Sequence, residues 1–200
     1  MRSVLLAVLI VAPLFALNVK KAYQESYRYE KMQDYKDAIK SLQPLLRINP
    51  NNYTLNLRLG WLYYLQGRYK NAIAHYRRAA LAQPKSFEPK LGLARVYLAQ
   101  GDSTKAFEIA SAIIKQDFYN YYANYYAASA LLASKPKESE KIARKMLERY
   151  PTDALFLKLL GRSLAKYDKK RAKQVYLHIL ILYPTDVEAK EFCDAHCGAR

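Results

Sequence analysis

The residue types best suited to chemistry cluster in Cys193-Asp194-Ala195-His196-Cys197. Two thiols and an imidazole within five positions open three readings. The first is a local Cys193–Cys197 disulfide: Cα atoms four apart on a helix are about 6 Å from each other, within reach of an S–S bond, and an exported chain favours oxidation. The second is a metal held by both thiolates and His196. A closed zinc site takes four ligands, and the sequence offers no second cluster to complete it. The third leaves both thiols idle. The haem-attachment pattern C-x-x-C-H is absent.

Elsewhere the sequence argues against catalysis. His75 and His178 have no nucleophile at motif spacing. There is no H-E-x-x-H, no phosphate loop and no G-x-S-x-G. The carboxylates are scattered and form no acid/base pair. The reading is therefore a protein that is not an enzyme and needs no cofactor and no metal. Binding chemistry is better represented. The chain has 19 tyrosines, a residue that gives large contact area at low entropic cost. Lys and Arg number 33 against 17 Asp and Glu, for a net charge of +16. That excess points to acidic or polyanionic partners and says nothing about fold.

Positioning begins with the N-terminus. Met1-Arg2-Ser3 is a short positive start, and Val4 to Leu17 is apolar throughout, broken only by Pro13. A membrane span needs about 20 residues, so this stretch suits a signal peptide, residues 1–16, cut after Ala16. The alternative is an uncleaved anchor in the inner membrane, with Lys20 and Lys21 at its surface. Either reading places the rest outside the cytoplasm, periplasmic or secreted, and argues against a nucleic-acid partner despite the charge.

The remainder is periodic. Pro50 and Pro84 are 34 residues apart; Phe118 stands 34 further on, and Pro151 and Pro184 follow at intervals of 33. Tyr150-Pro151-Thr152-Asp153 recurs as Tyr183-Pro184-Thr185-Asp186. A fixed period near 34 signals stacked helical units. Within Arg58–Pro84, Gly60, Ala72 and Ala79 are small residues that let two antiparallel helices approach. Gly67 supplies the turn between them, with a positive φ, and Pro84 stops the second helix. Asn52, Asp153 and Asp186 occupy N-cap places. Pro44 falls inside a second helix and is expected to kink it.

On these residues the chain resembles the tetratricopeptide repeat, a helix–turn–helix unit. With Tyr53 as position one, Leu59, Gly60, Tyr63, Gly67, Tyr69, Ala72, Tyr76, Ala79 and Pro84 keep the family's register; Asn56 replaces its position-four tryptophan. The resemblance implies an all-α superhelix of about five repeats. Their bounds are 19–52, 53–86, 87–120, 121–153 and 154–186, in one domain over 17–200 with a capping helix at 187–200. His75 and His178 then fall on or near the outer surface of second helices.

In this family the first helices line a concave groove, and positions two, five, nine and twelve share that face. Carried onto this sequence, the groove gathers Tyr23, Tyr27, Trp61, Tyr64, Arg95, Tyr122, Tyr125, Lys158 and Arg162, with Lys166 from a neighbouring position. Such a wall suits an extended peptide with apolar anchors and acidic groups. The chaperone-tail clamp of some relatives is absent, since Tyr23, Tyr27, Leu57 and Trp61 replace its lysine and asparagine. The implied function is a non-catalytic adaptor for a segment of an envelope protein. The alternative is docking of an anionic polymer or lipid surface on Lys135–Lys173, which holds 13 Lys and Arg against 5 Asp and Glu. Exposed end faces of the array would also allow self-association.

Overall fold

The structure is a computed structural model that describes residues 18–196. The apolar segment Val4–Leu17 and Cys197 lie outside the described residues. The described chain is all-α. Helix α1 covers residues 18–31. It is followed by α2 (Tyr35–Ile48), α3 (Tyr53–Leu65), α4 (Tyr69–Ala82), α5 (Glu88–Ala99) and α6 (Ser103–Ile114). Then come α7 (Tyr121–Leu131), α8 (Pro136–Arg149), α9 (Ala154–Ala165), α10 (Lys169–Leu182) and α11 (Val187–His196). The described residues form two compact units, unit 1 up to Val96 and unit 2 from Tyr97, dividing within α5. Within unit 1, α3 pairs with α4; within unit 2, α7 pairs with α8 and α9 with α10, and α11 packs on α10 as a final single helix.

Local chemistry sets the helix starts. Asn52 accepts from the Leu55 N–H at 2.9 Å, Asp153 from Leu155 and Phe156 at 3.0 and 3.1 Å, and Asp186 from Ala189 at 3.0 Å. Each satisfies backbone donors that a helix start leaves unpaired. Gly67 and Gly101 turn their hairpins at φ of 74° and 77°. Gln33 does the same at 59° without being glycine. Helix α2 continues through Pro44 to Ile48. Helix α4 ends at Ala82, two residues before Pro84.

Packing explains the small residues. Ala72 and Ala79 are fully buried. Gly60 serves a ring rather than a bare backbone crossing: a Cβ there would lie 2.7 Å from Tyr76 Cδ1. Gly92, on the first helix of the next hairpin, would meet the same ring at 2.5 Å. Tyr76 is therefore held between two glycines. Gly161 faces Tyr176 in the same way, at 2.9 Å. In unit 1 the core gathers Ala38, Leu42, Leu55, Leu59, Leu62 and Val96. In unit 2 it gathers Met146, Phe156, Leu159 and Leu164, continuing through Ile179 and Ala189 beneath α11.

Two buried asparagines tie successive repeats together. Asn56 Nδ2 donates to Pro50 O at 2.7 Å and Asn52 O at 2.9 Å. Both amide hydrogens are then used, so Oδ1 must accept from His75 Nδ1, 2.8 Å away. His75 is thus buried, stacked on Tyr63, and not on the outer surface that its register implies. The polar partner at Asn56 draws the imidazole inward. Asn124 repeats the scheme, donating to Phe118 O at 3.0 Å and Asn120 O at 2.8 Å while accepting from Lys145.

Candidate functional site

In unit 1, α1, α3 and α5 bring four of the groove candidates to one face. Arg95 lies against two rings, its guanidinium carbon 4.8 Å from the Trp61 ring centroid and 5.8 Å from that of Tyr64. Trp61 and Tyr64 stack at 5.5 Å. The Trp61 indole N–H donates to Glu30 at 2.6 Å. The other Glu30 oxygen accepts from Arg58, whose guanidinium covers the Tyr27 ring at 3.8 Å. Arg58 is itself buried and donates to Ser26 at 3.2 Å. The order across the face is Arg95, Trp61 with Tyr64, Glu30, Arg58, Tyr27. Each ring meets a cation at cation–π distance, and the Glu30–Arg58 pair separates the two ring groups. Tyr27 is 52 % exposed, while Trp61, Tyr64 and Arg95 are half-buried. Tyr23 packs half-buried against the unit 1 core, within electrostatic reach of Tyr27 and Arg58, and burial raises its hydroxyl pKa.

The unit 2 candidates sit differently. Tyr122 is half-exposed and Tyr125 packs against Phe156 in the core. Arg162 makes a two-point pair with Glu188, at 2.8 and 2.6 Å, and Lys158 meets Asp186 at 2.9 Å. The hydrogen bonds that Arg162 donates to Glu188 hold it above its usual pKa. Burial works to raise the Asp186 carboxyl, but the Ala189 N–H and Lys158 outweigh it and hold it low. Both cations of α9 are thus engaged by the N-cap and first turn of α11 instead of standing open to a partner. Lys166, at the C-cap of α9, is exposed. Cys193 is buried on α11, and its pairing with Cys197 lies outside the described residues.

Sequence reasoning missed Arg58; its register put Glu30 on the groove face but gave it no partner. A signal was present: an arginine inside the apolar run Leu57-Arg58-Leu59-Gly60-Trp61 has to be paired wherever the helix is buried. Likewise, an asparagine in place of a large apolar residue at Asn56 called for buried partners.

Two tetratricopeptide-repeat profiles match the sequence, over residues 23–89 and 64–128, together 106 of 200 residues. The chain belongs to the tetratricopeptide-repeat family. Its members are in general non-catalytic protein-interaction scaffolds. A tetratricopeptide-repeat protein from Parabacteroides merdae has a similar fold, with a TM-score of 0.75, 19% identity and coverage of 88% of this chain and 71% of that one. YrrB, described as a TPR protein with an unusual peptide-binding site, superposes with a TM-score of 0.66 at 14% identity, covering 85% of this chain and 89% of that one. The human protein O-mannosyl-transferase TMTC1 is 37% identical over 59 residues, which is 30% of this chain and 7% of that protein. The shared stretch is therefore a small part of that protein.

Proposed function

We propose that this tetratricopeptide-repeat protein is an adaptor that binds an extended peptide segment of an envelope protein, and that the α1–α3–α5 face of unit 1 is its binding surface. The observation that supports this is the row Arg95, Trp61, Tyr64, Glu30, Arg58, Tyr27. Three successive first helices contribute to it, and the indole is fixed in place by Glu30 before any partner arrives. A pre-positioned aromatic anchor loses little entropy on binding. Arg95, held over the rings, orients a carboxylate of the peptide at the edge of the indole. YrrB, with its peptide-binding site, is a precedent on the same fold for this class of ligand. Export after removal of residues 1–16 belongs to the same reading and is tested by the mass of the mature chain.

The functional test is the affinity for a peptide selected against the whole protein. Trp61→Ala should weaken it by about 1–3 kcal/mol, the usual loss for an aromatic anchor, with helicity intact. Unchanged affinity in a folded Trp61→Ala protein would remove the face from consideration.

A further inference from the structure

Helix α8 carries a second set of cations that the peptide face does not use. Lys137, Lys141, Lys145 and Arg149 lie at successive intervals of four residues. They therefore climb one side of the helix at about 6 Å per step. Like charges at this spacing work against the helix. Neighbouring charges of the same region are compensated: Arg144 and Arg171 share Glu140 at 2.7 and 2.6 Å, and Lys135 meets Glu138 at 3.6 Å. Among the described residues, none of the four stripe cations forms an ion pair.

Rings stand at both ends of the stripe. Lys137 lies 5.6 Å from the Tyr167 ring centroid. Lys145 lies 3.9 Å from that of Phe118, and Arg149 is 5.1 Å from that of Tyr119. Phe118 takes the place that Pro50, Pro84, Pro151 and Pro184 fill elsewhere, and 57 % of it is exposed. Lys145 is pinned, donating to Phe118 O at 3.0 Å and to Asn124. A cleft of about 700 Å³ runs beside the helix, with Phe118, Lys137, Lys141 and Lys145 in its wall. Its acidic members are Glu140, already engaged, and Glu148.

We infer that this cleft is a second binding site, for an extended acidic segment of a partner protein that ends in an apolar or aromatic residue. The spacing fits such a chain. Side chains on one side of an extended strand recur every ~6.6 Å, close to the ~6 Å step of the stripe. Glutamates or aspartates at alternate positions would meet Lys137, Lys141 and Lys145 in turn. The terminal apolar residue would then rest on Phe118 and Tyr119. A concave wall favours a chain over a flat bilayer.

The test uses the whole protein and a fluorescein-labelled peptide of alternating Glu and Ser ending in Phe, followed by anisotropy at low and moderate salt. Saturable binding is expected. It should weaken at least tenfold in Lys137→Gln/Lys141→Gln/Arg149→Gln, a variant that relieves repulsion and should melt no lower than the wild type. Phe118→Ser should weaken it too, and Trp61→Ala should leave it unchanged, which separates this site from the unit 1 face. No saturable binding, equal affinity in the triple variant, or equal loss in Trp61→Ala would each overturn the inference. So would preferential capture by phosphatidylserine vesicles over the peptide.

Discussion

Asn56 and His75 show how one residue choice reorganises a repeat. With its amide hydrogens fixed on two carbonyls, Asn56 needs a donor, and neutral His75 is that donor. Burial, helped by the nearby Arg78 charge, lowers the imidazole pKa from 6.5 to about 4. The unfolded chain therefore binds a proton near pH 6.5 that the folded chain refuses until about pH 4. Stability must fall as pH drops through this window, by up to about 3 kcal/mol at 1.36 kcal/mol per pKa unit. Urea unfolding at pH 7 and pH 4 should show this loss for the wild type beyond that of His75→Gln, whose side chain does not titrate. Equal losses in the two proteins would mean that His75 is protonated without penalty. Neither the burial nor the pKa was legible in the register, which places position and not side-chain demand. The clue lay in the asparagine at a position where the family carries tryptophan.

At the scale of the element, the glycine pattern was legible but its purpose was only half so. Gly60 reads as a site of close approach, and the structure adds what approaches: the Tyr76 ring, which Gly92 meets from the following helix. The second contact joins two repeats, so it has no expression in the single-repeat motif. Alanine at Gly92 would gain about 1 kcal/mol of helix propensity and lose more by overpacking. Gly92→Ala should lower stability by about 1–2 kcal/mol, and Tyr76→Leu in the same chain should make the combined loss less than additive. Additive losses would show that the ring and the Cβ do not compete for space. Helix α11 teaches the same lesson. Its N-cap Asp186 was legible, but the partnership of Asp186 and Glu188 with Lys158 and Arg162 was not, because pairing across repeats depends on which faces meet.

At the scale of the whole molecule, the period near 34, the hairpin order and the small-residue register were all legible, since each is repeated along the chain and each repeat supports the others. The distribution of working charge was not. A net charge of +16 counts cations without saying which are spent. Those on α9 are paired within unit 2, Arg58 is buried over Tyr27, and the uncompensated stripe lies on α8. Charge and aromatic surface are thus divided between the two proposed binding surfaces, which should differ in salt sensitivity. Contact through Trp61 and its neighbours should persist at moderate ionic strength, whereas contact through exposed lysines is screened.

Trp61 is the sole tryptophan, so its emission reports the proposed peptide face without a label. The most direct measurement is a fluorescence titration with a peptide selected against the intact protein. Covering the half-exposed indole should shift its emission to the blue, with a midpoint equal to that of binding measured on the peptide itself. Saturable peptide binding with unchanged Trp61 emission would contradict the assignment of the α1–α3–α5 face.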